Sequence, residues 1–72
     1  MSALFAGAGY YRISTAPGQR IVAWCVPRDG GGTIAAFRSQ AAARDPAKAI
    51  ATYSAAEFAA VAVEAICPLA AG

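Results

Sequence analysis

The sequence predicts an α+β domain, a small antiparallel three- or four-stranded β-meander packed by one C-terminal α-helix. Three observations carry this. Residues 10–53 hold short aromatic and β-branched runs separated by Pro and Gly turns, the pattern of consecutive antiparallel strands. Residues 54–66 join a capping signal to an apolar stripe at helical spacing. The chain has 72 residues, enough for a single domain. It divides into an apolar N-terminal segment (1–9), the meander (10–53) and the helix (54–66).

Taken in order, residues 1–9 are small and apolar and are expected to extend across the surface or pair with a neighbour. Tyr10 to Thr15 reads as a strand with Tyr11 and Ile13 on one face. Pro17 and Gly18 then stand where a type II turn wants a fixed negative φ followed by a positive one. Residues 20–26 form the strongest strand. Val22, Trp24 and Val26 share one face and Ile21, Ala23 and Cys25 the other, so both faces are expected to be at least partly covered. Pro27 is expected to end the ladder, and Asp29-Gly30-Gly31-Gly32 to turn the chain into a third strand over 33–40. Residues 41–48 read as a loop and 49–53 as a short strand. The competing reading starts a helix with Asp45 as N-cap and Pro46 in its first turn.

In the closing helix Ser54 is the N-cap and Glu57 completes a capping box. Tyr53 and Phe58 have the spacing of a hydrophobic staple. Phe58, Val61, Ala62, Ala65 and Ile66 make the apolar stripe, and Pro68 stops the helix. Ser54, Glu57, Tyr53, Phe58 and Trp24 are therefore the expected structural residues.

Composition excludes several classes. Net charge is +2 with 14% charged residues, too weak for the basic footprint of a nucleic-acid binder. All six cations lie between Arg12 and Lys48, whereas the helix carries only Glu57 and Glu64. No apolar run reaches membrane-spanning length and no leader is visible, so the expected location is cytoplasmic, or a virion if the chain is phage-encoded. Cys25 and Cys67 are expected as buried free thiols, with a single bridge as the alternative.

No catalytic, cofactor-binding or metal site emerges. Histidine is absent, which removes the commonest general base and the usual triads. Glu57 and Glu64, two helical turns or about 10 Å apart, exceed the spacing of a glycosidase pair. Cys25 has no base near it in sequence, and two cysteines without histidine do not make a zinc site. The run RDGGGT lacks the Lys-Ser/Thr and the following helix of a phosphate loop. Five arginines beside Tyr10, Tyr11 and Trp24 would suit a single-strand binder, but the aromatics are needed for the core.

Trp24-Cys25-Val26, Phe37-Arg38-Ser39, Asp45-Pro46 and the run from Ile50 to Phe58 together bring in a family. Over residues 10–66 the chain resembles the small actinobacterial proteins of unknown function encoded beside WhiJ-type helix-turn-helix regulators, the BldB-like family. Tyr11-Arg12 stands at that family's early Trp-Arg motif and Cys25-Val26 at its Cys-Val. Phe37-Arg38-Ser39 stands at its Val-Arg-Asp-Ser, and the run from Ile50 to Phe58 at the motif that opens its last helix. The resemblance implies a non-enzymatic partner of a transcriptional regulator.

The expected function is thus a protein–protein interaction module, working as a homo-oligomer or on a protein partner. No direct nucleic-acid contact, membrane or small-molecule substrate is expected. Leu4, Phe5, Ala59 and Val63 are the candidate contact residues, on the N-terminal segment and the alanine-rich helix flank. A phage-encoded accessory protein, either a virion subunit or an inhibitor of a host defence, is the alternative.

Overall fold

The fold was read from a computed structural model that describes Phe5, residues 7–15 and residues 18–68. Five strands form one antiparallel sheet: β1 (Gly9–Thr15), β2 (Gln19–Arg28), β3 (Thr33–Phe37), β4 (Ala51–Ser54) and β5 (Ala62–Pro68). The helix α1 (Ala55–Val61) joins β4 to β5. Strand order is β4-β3-β2-β1-β5. The first four strands follow one another as a meander, and the fifth corrects the expected count of three or four. An α+β domain with an antiparallel sheet and one helix is what the chain forms.

The β1–β2 hairpin is in register from Gly9↔Cys25 to Thr15↔Gln19. Its turn uses Gly18 at φ 90, with the Gly18 N–H donating to Thr15 O at 2.8 Å. Ala16 and Pro17 of the expected turn lie outside the described residues. Strand β2 runs through Pro27, which pairs with Ile34, and ends at Arg28. Pro27 was expected to stop it. It does not, because β1 reaches only as far as Cys25; beyond that β2 is an edge on one side, where a residue without an N–H is tolerated. The next turn holds three successive residues at positive φ, namely Asp29 (51), Gly30 (67) and Gly31 (96). Asp tolerates the left-handed region, while φ near 96 is a glycine conformation.

Strand β3 is shorter than the expected 33–40. The chain then crosses the sheet through two 3-10 turns, Ala42–Arg44 and Pro46–Lys48. Asp45 caps the second, its Oδ1 accepting from the Ala47 N–H at 3.0 Å with Pro46 in the first turn. Both readings of this stretch are partly met: Asp45-Pro46 starts one helical turn, and an extended strand still leads into Ser54.

The two sheet faces have different covers. On one, Phe58 of α1 and Ala62 of β5 pack over Tyr11, Ile13, Cys25 and Ile34, all 0–1% exposed. Phe5 stacks on Tyr11 (5.5 Å between centroids) and meets Phe58 edge-on at 5.4 Å. On the other, Trp24, Ala35 and Phe37 lie under Ala42, Ala43 and Ala49 of the crossing. Tyr10 joins them, its ring edge-on to Trp24 at 4.9 Å and its hydroxyl accepting from the Gln40 N–H at 3.1 Å. The alternation in β2 assigns these faces as expected, except that Val22 is 46% exposed.

Helix α1 begins as its sequence requires. Ser54 Oγ accepts from the Glu57 N–H at 3.1 Å, and Glu57 Oε1 accepts from the Ser54 N–H at 2.8 Å. Tyr53 and Phe58 meet at 6.3 Å. The expected helix over 54–66 is, however, corrected at its far end. The chain turns extended at Ala62 (φ −75, ψ 125), and β5 follows. Ala62 pairs with Ile13 and Ala65 with Tyr11. Without β5 the outer edge of β1 would carry unpaired backbone groups beside the fully buried Tyr11 and Ile13, an arrangement costlier than losing one helical turn. The stripe read as helical is consequently split. Phe58 and Ala62 are buried, whereas Ala65 and Ile66 are exposed.

Candidate functional site

Two surfaces stand out, the first a cleft beside the Asp29 turn. It encloses about 330 Å³ between the end of the β2–β3 hairpin, Thr52 of β4 and the second 3-10 turn. Its floor is Ala35 and Phe37, its apolar wall Pro46 and Ala49, and its polar wall Arg28, Asp29, Thr33 and Thr52. Strand parity builds it: Arg28 lies two and four residues from Val26 and Trp24, hence on the same face, and Thr33 stands opposite Arg28 in register. The Arg28 guanidinium carbon sits 5.8 Å from the Phe37 ring centroid, a cation–π distance. The attraction of the ring for the cation favours this placement. Asp29 Oδ2 accepts from Thr33 Oγ1 at 3.4 Å.

Charges in this chain are used unequally. Among the described residues every acid has a partner. Besides Asp29, Asp45 and Glu57 cap their turns, and Glu64 Oε1 lies 3.2 Å from Arg12 Nε across the β1–β5 pair. Of the six cations only Arg12 has a carboxylate partner among the described residues, where Arg20, Arg28, Arg38, Arg44 and Lys48 have none. In the sequence Arg28 is one of five arginines near aromatics that the core requires. Its parity with Trp24 was the signal that placed it over the second face.

The second surface is the flank made by α1 and β5. Ala55, Ala56, Ala60, Ala65 and Ile66 are exposed, and Ala59, Val61 and Val63 are half-buried. Among the described residues nothing pairs with the outer edge of β5. Its pairing with β1 shifts register twice, which leaves Val63 and Ile66 outside the ladder. Of the four contact candidates, Ala59 and Val63 belong to this flank, Val63 on β5 instead of the helix. Phe5 is half-buried, its ring packed against Tyr11 and Phe58. Leu4 lies outside the described residues.

Cys25 is a free thiol, fully buried, with Sγ 3.6 Å from Ala23 O. In the sheet it stands opposite Gly9 while Cys67 stands opposite Tyr10, with β1 between their strands. That is two strand spacings, beyond the reach of a disulfide. Burial pushes the Cys25 thiol from 9.0 up to about 12. A thiol so protonated is a poor nucleophile. The native state keeps a proton that the unfolded chain sheds above pH 9, so stability is fully present below that pH and falls as pH rises toward 12. Tyr53, also raised, first by burial and then by the neighbouring Cys25 and Glu57 charges, adds in the same direction above pH 10. Denaturant melts from pH 8 to 11 should show a falling midpoint, with a shallower fall in Cys25→Ala. An equal slope in both would show that Cys25 titrates normally.

Among the described residues no group of three or more His, Cys, Asp or Glu side chains is placed to hold a metal. No helix among them is long and apolar enough to cross a membrane. Among the described residues, fold and surfaces define a small α+β domain with an open sheet edge at β5 and a polar-walled cleft. Comparison of the chain with known protein families, with curated proteins and with solved structures finds no match.

Proposed function

We propose that this chain is a non-enzymatic protein-interaction module that docks through the α1–β5 flank. One observation carries the reading: residues 55–66 present exposed apolar side chains with no free charge among them. Glu57 is spent on the cap and Glu64 on Arg12. Edge strands of proteins that work alone are usually guarded by charges, prolines, bulges or covering segments, of which β5 carries two register shifts, the paired Glu64 and the terminal Pro68. Over Ala62–Pro68 the two register shifts interrupt the ladder, and Pro68 stands only at its end. Val63 and Ile66, which those shifts leave outside the ladder, supply the apolar contact that a partner would cover. The protonated Cys25 favours a role without nucleophilic chemistry. The BldB-like resemblance makes a helix-turn-helix regulator the first heterologous partner to test, beside a second copy of the chain.

Light scattering on the purified chain, alone and with such a regulator, tests this. The expected result is a complex that Ile66→Asp dissolves while the variant stays folded, since Ile66 is 40% exposed. A monomer at high micromolar concentration that ignores the regulator would overturn the proposal. So would a complex indifferent to both Ile66→Asp and Ala60→Glu.

A further inference from the structure

Charge and shape at the Arg28 cleft identify a second kind of contact. We propose that the cleft receives an acidic segment of a partner protein, in which an Asp or Glu next to a small apolar residue places its carboxylate on the Arg28 guanidinium. The choice of a protein ligand rests on the interaction-module reading; the site itself is independent of the α1–β5 flank.

Four observations meet at this cleft. Arg28 is half-buried with its guanidinium carbon 5.8 Å from the Phe37 ring centroid, so the cation is drawn toward the cleft before any ligand arrives. None of its N–H donors is spent on an acceptor among the described residues, and none of the four acids pairs with it. A carboxylate is a group whose two oxygens match the guanidinium fork. Pro46 and Ala49 offer an apolar wall beside it, and Thr52 a hydroxyl. Arg44 and Lys48, on the same crossing as Pro46, are exposed cations without carboxylate partners, available to further acids of one segment.

Nucleic acid fits less well. Binders of single strands stack bases on exposed aromatics, whereas Phe37 is fully buried here and Trp24 is 5% exposed.

The test is an NMR titration of the full chain with three probes: an acetylated Ala-Glu-Pro-Glu-Ala peptide, its Gln counterpart, and a short oligothymidylate. The Glu peptide should saturate and shift the amides of Arg28, Thr33 and Thr52, and the Gln peptide should bind about tenfold more weakly or less, the scale of a charge-assisted hydrogen bond. Arg28→Lys keeps an aliphatic stem on Phe37 but loses the fork, and should weaken the Glu peptide by a similar factor. Thr52→Val should weaken it less, and Ile66→Asp not at all. Equal binding of the Glu and Gln peptides, indifference to Arg28→Lys in a folded variant, absence of saturation, or tighter oligothymidylate binding at these amides would each overturn the proposal. Loss of peptide binding with flank docking intact removes this inference alone. Loss of flank docking with peptide binding intact removes the flank reading and leaves the cleft.

Discussion

Phe58→Ala is expected to lower stability by about 3–5 kcal/mol, the cost of removing a fully buried aromatic side chain that its surroundings cannot replace. Phe58 is the one fully buried residue of α1, and its ring meets Phe5, Tyr11 and Tyr53 at 5.4, 5.2 and 6.3 Å. Three aromatic rings would then face a hole on one side of the sheet. A domain of this size has a total stability of similar order, so the variant should be largely unfolded at ambient temperature. Ser54→Ala, which removes only the cap, should cost about 1 kcal/mol. Urea unfolding of the two variants measures the ratio. Comparable small losses would show that α1 is not what closes this face.

A loss of the same order, about 3–5 kcal/mol, is expected for Phe37→Ala on the opposite face. Phe37 is 0% accessible under the alanine-rich crossing, with the Arg28 guanidinium carbon 5.8 Å from its ring centroid. A sheet with one helical cover and one solvated face would lose little there. The crossing instead makes the sheet two-sided, so both faces should respond. Any residual folded population should also have lost its preference for the Glu peptide, because the platform under Arg28 is gone. Differential scanning calorimetry beside the same peptide titration checks both parts. A melting temperature near that of the parent chain would mean that the crossing is a loose loop.

What the sequence determined by itself was everything settled within a few residues of chain. The capping box at Ser54 and Glu57 closes over a single turn, Gly18 carries its own φ requirement, and the alternation through Ile21–Val26 assigns side chains to faces wherever the strand lies. The antiparallel α+β class follows from such local signals. Tertiary structure alone decided where α1 ends. Ala62, Ala65 and Ile66 satisfy a helical stripe and an extended strand almost equally, because alanine fits both conformations and the isoleucine favours the second only slightly. The unpaired edge of β1, with Tyr11 and Ile13 buried beside it, tips the balance, and that edge exists only once β1 and β2 have paired. The same holds for Arg28, Phe5 and the cover over Phe37. Each acquires its role from packing against another part of the fold, and only the face of Arg28 is already legible in its parity with Trp24.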